Sequence, residues 1–333
     1  MFNNLVNRQD LHFLVNGLRT GSIWRTLKRL ARGSEEAVKA TWEQVEGPPS
    51  YLWSIPAVCR RASRLITGDP DLEYPVYVSR TYLDPLQPLR GLSLGCGTGE
   101  KELHWTSLCR YVRLDAYDIS ASRIAYASSQ TQAAGRLEIN YHAADVYQVD
   151  WPEGYYDIAF VDQSLHHFTP LETLLLKIRC ALKPTGYLVA SEFIGPTRFQ
   201  WTDRQLEAIN GVLAILPPSY RRRWSNGKIK KRVYCPSRLS MILGDPSEAV
   251  ESAQIVPLLE RHFEIVERRD YGGTIIHPLF SDIAHNFLGE DGQERDEEAR
   301  RLLELCFHIE DTLLELGDIQ SDFALFICKP PAS

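Results

Sequence analysis

Three glycines spaced two apart, Gly95, Gly97 and Gly99, separate a short apolar run (residues 92–94) from an amphipathic segment over residues 100–108. That succession reads as a buried parallel strand, a tight turn and the first turn of a helix. Glycine at alternate positions permits positive φ and removes the Cβ atoms that would hold a ligand off the backbone. The unpaired amides of the following helix then face that ligand. In an open α/β sheet such a turn lies at the carboxyl edge of the strands and holds a nucleoside-like group.

The spacing narrows the choice. Dinucleotide binders use G-x-G-x-x-G, with the pyrophosphate on the helix end. Here the third glycine comes one residue early and the sixth position is Glu100, whose charge opposes a phosphate. Residues 114–120 read as a second strand ending in Asp118, 19 residues after Gly99. That is close to the ~20-residue offset at which a carboxylate takes ribose hydroxyls. Asp118 also suits the role of helix N-cap, and both readings stay open. Residues 141–146 form a third strand ending at Asp145 and Val146, and residues 156–168 a fourth with its exit loop. A helix over 170–182, the Lys183-Pro184-Thr185-Gly186 turn and a strand over 187–194 complete the series.

Over roughly residues 88–195 this series resembles the class I S-adenosylmethionine-dependent methyltransferases. The resemblance implies an α/β fold, a doubly wound, Rossmann-like seven-stranded sheet, with S-adenosyl-L-methionine as cofactor. It places Gly95, Cys96, Gly97 and Gly99 in the cofactor loop, Asp118 and Ile119 at the ribose, Asp145 and Val146 at the adenine, and Asp162 at the mouth of the site. The family usually has an acid two residues before the first glycine. This chain has Ser93, which can hydrogen-bond but brings no charge.

The rest of the chain reads as additions to that core. Residues 1–80 form a helical N-terminal cap, with short amphipathic helices at 10–18 and 23–32 and a further helix at 56–66. The second carries Arg25, Lys28, Arg29 and Arg32, which fits a solvated cap helix, a membrane surface or a partner. Tyr51, Trp53, Tyr74, Tyr77 and Tyr82 are candidates to cover the cofactor, with ordinary packing as the alternative. The core spans 81–195, and residues 196–246 form a lid insertion. Residues 247–333 return to the core through a helix at 247–260 and strands at 262–269 and 322–329, with a helical insertion at 271–320 that includes a charged helix at 294–316. The resemblance makes the last two strands an antiparallel pair, the seventh lying between the fifth and sixth.

Methyl transfer from a sulfonium is an in-line displacement, so positioning and water exclusion carry much of it. A hydroxyl acceptor also needs a base. The loop after the fourth strand offers Asp162, Gln163, His166 and His167, and histidine titrates near neutrality. Adjacent histidines are expected not to face one point together, so at most one reaches the substrate; His167 is preferred over His166, with a purely structural turn as the alternative. Glu192, Arg198, Trp201 and His277 are the candidate substrate contacts, with His285 a further one. No ligand spacing indicates a metal. Residues 220–238 hold eight positive charges and no acid, which fits either a solvated lid or capture of an anionic or carrier-linked substrate.

Composition excludes several classes. The net charge of −6 leaves no overall basic field for nucleic acid. The seven cysteines are dispersed with no C-x-x-C pair, as in reduced cytoplasmic chains, and no apolar run is long enough for a membrane span. The oligomeric state stays open, a homodimer among the options. The expected activity is S-adenosylmethionine-dependent O-methylation of a small or medium-sized hydroxylated metabolite such as a sugar or polyketide. The alternatives are N- or C-methylation, or a non-catalytic cofactor-binding scaffold; Glu100 disfavours a nicotinamide oxidoreductase.

Overall fold

A computed structural model describes residues 38–39, 41–42 and 50–332. The helices expected at 10–18 and 23–32 lie outside the described residues. Helix α1 (Pro56–Thr67) opens on a proline at its first position, where no amide is needed, and ends at Gly68 with φ 86°. A short α2 (Tyr74–Val78) leads to the sheet.

Strand β1 (Leu89–Leu94), helix α3 (Glu100–Leu108), β2 (Tyr111–Asp118), α4 (Ala121–Ala133), β3 (Ile139–Ala143), β4 (Tyr156–Asp162), α5 (Leu171–Ala181) and β5 (Leu182–Phe193) alternate as a doubly wound unit should. Helices α6 (Asp203–Ile215), α7 (Arg238–Gly244) and α8 (Ile255–His262) follow, then β6 (Glu264–Gly272), α9 (Ile276–Phe280), α10 (Glu297–Glu315) and β7 (Phe323–Lys329). The seven strands run in the order β3-β2-β1-β4-β5-β7-β6, and β7 is antiparallel to both of its neighbours. The order reverses between β1 and β4, which creates the crevice at the carboxyl edge where ligands of such sheets bind. Residues 156–161 of β4 are all buried, as a strand covered on both faces requires.

Several element boundaries differ from the sequence reading: β3, expected over 141–146, spans Ile139–Ala143 and leaves Asp145 in the turn after it. The Lys183–Gly186 stretch lies inside β5, bulged between the Tyr156–Leu182 and Ile158–Tyr187 pairs, because neighbouring strand β4 holds both ends in register. The helix expected at 247–260 begins at Ile255, since residues 245–250 turn back on themselves through amides of Glu248 and Val250. Strand β6 runs on to Gly272.

Two apolar clusters flank the sheet. A third lies off it, joining Leu52, Ile55 and Val58 to Ile209 and Val212 of α6, Leu279 of α9 and Leu303 of α10. The segment before the sheet and both additions therefore share one core. Lys230 is part of it: its Nζ donates to the carbonyls of Pro278, Leu279 and Ser281 at the end of α9, and burial pushes its ammonium down to about 7. Arg223 pairs with Asp282 at 3.1 Å. The exposed part of the basic stretch is thus Arg222, Lys228, Lys231, Arg232 and Arg238.

Candidate functional site

The glycine loop has the geometry its composition demands. Gly95, Gly97 and Gly99 have φ of 70°, 54° and 81°. The amides of Gly95 and Cys96 donate to the Tyr117 carbonyl, and that of Gly99 to the Cys96 carbonyl, so the loop folds onto the end of β2. A Cβ on Gly95 would stand 2.6 Å from Ser164 Cβ, and one on Gly99 2.4 Å from Tyr141 Oη and 2.8 Å from Ala127 Cβ. This is a cradle of bare backbone, as an adenosyl cofactor requires. Gly99→Ala is expected to cost about 2–4 kcal/mol of stability, from left-handed backbone and overpacking together. At Gly97 the nearest atom to a Cβ is 3.5 Å away, so Gly97→Ala meets only the backbone penalty. Urea unfolding of the two variants separates the effects; equal losses would remove the close-packing argument.

Asp118 ties the loop to β2: Oδ2 accepts the Gly97 amide at 2.9 Å and Oδ1 the Ser120 amide at 2.8 Å. The N-cap of α4 is Ser120, whose Oγ accepts from the Arg123 amide. Asp118 therefore does not cap that helix. Ile119 is half-buried beside it. Asp145 Oδ1 accepts the Tyr147 amide at 3.0 Å, forming the turn after β3. The side chain of Val146 is buried in one of the apolar clusters that flank the sheet.

The missing acid before the glycines is supplied from elsewhere. Ser93 Oγ donates to Glu102 Oε1 at 2.5 Å, and both side chains are buried. Oε2 of Glu102 has no partner among the described residues, and burial pushes the carboxyl up to about 7. The signal was in the sequence: Glu102, Trp105 and Thr106 form the buried face of α3 at helical spacing. An acid on that face needs a reason.

At the end of β4, Asp162 receives Tyr74 Oη on one oxygen and Lys101 Nζ at 2.7 Å on the other. Of the five proposed covering aromatics, Tyr74 reaches this point. Tyr77 and Tyr82 instead donate to Glu267 of β6, and Tyr51 is exposed. Trp53 packs on Tyr271 and Phe323, extending an aromatic wall through Phe193 to Phe199.

The two histidines do not point apart. The tight 3₁₀ turn Leu165–His167 brings their ring centroids to 4.1 Å at a tilt of 41°. His166 Nδ1 lies 2.5 Å from Glu192 Oε1, while Glu192 Oε2 accepts the amides of Ser164 and Leu165. Burial pushes His166 down to about 3, so the imidazole is neutral and gives its one N–H to the carboxylate. Burial pushes Glu192 upward too, but the amides of Leu165 and Phe193 favour its charge. With three amides and an imidazole as donors, the anion prevails.

Glu192 is therefore not a free substrate contact; its oxygens are spent on the loop and on His166. His167 is also pushed down by burial, its Nδ1 3.3 Å from Ser247 Oγ and its ring edge-on to Trp42. Arg198 is likewise committed, donating to the carbonyls of Asp245, Pro246 and Glu248. That clamp brings Glu248 Oε1 to 3.6 Å from His166 Nε2, a residue the sequence reading missed because nothing local marks it.

Trp201 stacks on Phe199 at 5.5 Å and is not at the loop. His277 stands among Phe193, Phe199 and Phe323, pushed down to about 4 by burial, and His285 contacts none of these groups in the described interactions. Among the described residues His166, His167 and Glu248 bring ligand-capable atoms within 4.8 Å of one another.

A cleft of about 1510 Å³ opens among Gly195, Asp270, Asp318 and Asp322. It includes no residue of the glycine loop, and the loop's chemistry, not cavity size, marks the cofactor site. Among the described residues no helix is long and apolar enough to cross a membrane.

Residues 92–190 match a family described as a methyltransferase domain. Among solved structures, the chain is similar to the [4+2]-cyclase SpnF at 17% identity, covering 78% of this chain and 80% of that one, with a TM-score of 0.45. An S-adenosylmethionine-dependent methyltransferase from Mesorhizobium loti matches at 18% identity over 76% and 96%, with a TM-score of 0.43. The O-methyltransferase from a trans-AT PKS multienzyme of Brevibacillus brevis, in complex with S-adenosyl-L-homocysteine, matches at 14% identity over 77% and 71%, with a TM-score of 0.43. These structural likenesses are too loose to carry an argument about chemistry; the family match falls on the strands and the glycine cradle themselves. Residues 92–190 are a methyltransferase domain, and the chain carries it as an S-adenosylmethionine-dependent methyltransferase.

Proposed function

We propose that the enzyme methylates a hydroxyl oxygen of a small or medium-sized metabolite, of the sugar or polyketide kind, with His166 as the base. The observation that carries this reading is the His166–Glu192 pair: a neutral imidazole whose Nδ1–H is held by a buried carboxylate 2.5 Å away, leaving Nε2 to accept a proton. When bound, S-adenosylmethionine supplies an electrophilic methyl group on a sulfonium. Gly95, Cys96, Gly97 and Gly99 give it room, Asp118 takes its ribose hydroxyls, Asp145 and the backbone at Val146 line the adenine end, and Asp162 with Tyr74 closes the mouth.

Glu192 orients His166 and stabilises the imidazolium formed when the acceptor gives up its proton. The aromatic wall of Trp53, Phe193, Phe199 and Phe323 excludes water and suits an acceptor with an apolar face. Residues 196–246 and 271–320 roof the crevice in this reading. The exposed arginines and lysines of 220–238 favour an acceptor that is anionic or attached to a phosphate-bearing carrier.

Transfer of isotope-labelled methyl to a panel of hydroxylated, amino and activated-carbon acceptors tests the assignment. An ether product supports it, whereas label on nitrogen or carbon, or none despite bound cofactor, overturns it. Asp118→Ala is expected to weaken product-cofactor binding by about 1–3 kcal/mol, the cost of a buried donor left unpaired. Calorimetry showing unchanged affinity would remove Asp118 from the site.

A further inference from the structure

The turn after β4 and the turn before α8 bring together a donor set that methyl transfer by an imidazole base does not require. His166, His167 and Glu248 each present a ligand atom within 4.8 Å of the others. Both rings have their second nitrogen already engaged. His166 Nδ1 donates to Glu192 Oε1 at 2.5 Å. His167 Nδ1 lies 3.3 Å from Ser247 Oγ, which donates its own proton to Asp245 Oδ1 at 2.7 Å and accepts from Trp42 Nε1 at 3.3 Å. With the hydroxyl proton spent on Asp245, the 3.3 Å contact needs His167 Nδ1 as the donor. Each imidazole therefore carries its free lone pair on Nε2. His166 Nε2 is 3.6 Å from Glu248 Oε1.

The close approach of His166 Nε2 and the Glu248 carboxyl is relieved either by a proton on Glu248, which burial pushes up to about 8, or by a cation held between them. The outer contacts are those that orient metal-bound histidines, a carboxylate on one ring and a hydroxyl on the other. The turn carrying Glu248 is fixed from outside, by the Arg198 guanidinium on the carbonyls of Asp245, Pro246 and Glu248.

We propose that the free nitrogens of His166 and His167, with the carboxylate of Glu248, bind one divalent transition cation of the zinc class. Two imidazoles and one carboxylate suit zinc, cobalt or nickel and not magnesium or calcium, which prefer oxygen donors. Three protein ligands leave a position for water or for an oxygen of the acceptor. The inference rests on the placement of these side chains and not on the acceptor being a hydroxyl. At His166 Nε2 a cation and a transferred proton exclude each other, so binding is the readout, not turnover.

The test is titration of the metal-free full-length protein with Co²⁺, followed by visible absorption and calorimetry. One equivalent should bind with a d–d band, be displaced by Zn²⁺, and be unaffected by excess Mg²⁺. His167→Ala and Glu248→Gln should each weaken Co²⁺ binding more than tenfold, and Glu192→Gln about tenfold. S-adenosylhomocysteine affinity, measured on the same samples, should stay near wild type, which reports that the variants are folded. The proposal is overturned by absence of a band in the wild-type protein, by a thiolate charge-transfer band (cobalt on the cysteines instead), or by affinities that the variants leave unchanged. Loss of methyl transfer to every hydroxyl acceptor leaves these readouts as they are and bears only on the proposed function.

Discussion

His166→Ala is expected to lower methyl transfer by about 10²–10⁴-fold while leaving cofactor affinity unchanged, the usual range for loss of a positioned general base. The sequence preferred His167; the structure puts the carboxylate on His166. Glu192 accepts from the ring that must become cationic, whereas the ring of His167 meets the Ser247 hydroxyl and the edge of Trp42. His167→Ala should therefore cost less. The pH dependence adds a second measurement. An ordinary histidine gains its proton near pH 6.5 and stops acting as a base below it. Burial pushes His166 down while the Glu192 carboxylate pulls the other way; with burial the larger effect, the fall of kcat/KM on its account should lie below pH 6.5. Single-turnover rates of both variants, with cofactor affinity from calorimetry, decide the matter. Full activity in His166→Ala beside an inactive His167→Ala would reverse the assignment.

Arg61→Ala is expected to destabilise the protein by about 3–5 kcal/mol, the cost of leaving a buried charge without its partner. Arg61 Nη2 and Glu310 Oε2 are 2.7 Å apart with side-chain exposures of 3% and 0%. Glu310 also accepts the amides of Gly273, Ile275 and Ile276, which fixes the chain leaving β6 as it enters α9. Asp311 is a second acceptor for Arg61. One guanidinium on α1 thus holds α10 and the start of α9, which carries His277. Removing it strands Glu310 among apolar side chains, whereas Arg61→Ala combined with Glu310→Gln removes the stranded charge and should recover part of the loss. Urea unfolding of the two singles and the double gives the coupling. A loss below about 1 kcal/mol for Arg61→Ala would show that the pair is solvated and its burial argument unsound.

Much of the core was legible because its signals are local. A glycine at every second position, a strand-length apolar run before it and an acid 19 residues after it are properties of one βαβ unit. The order of the strands followed, as right-handed crossovers leave few alternatives. The side-chain assignments were less legible. Asp118 and the glycines lie where the spacing put them, but Glu192, Arg198 and Trp201 are held by partners that no period reveals.

Taken alone, the amino-acid sequence determined the doubly wound sheet and the bare-backbone cradle, because short-range periodicity and glycine stereochemistry are enough to specify them, and the adenosyl cofactor followed from the resemblance those residues carry. Tertiary structure decided which histidine meets a carboxylate. His166 meets Glu192 across 26 residues, and His167 meets Ser247 across 80. It also decided that an acid returns to the glycine loop from α3, through Glu102, and that Glu248 closes on the histidine pair. The physical reason is common to all of these. A buried polar group must find its partner wherever the packed chain brings one, and that partner's distance along the chain leaves no mark on the local pattern.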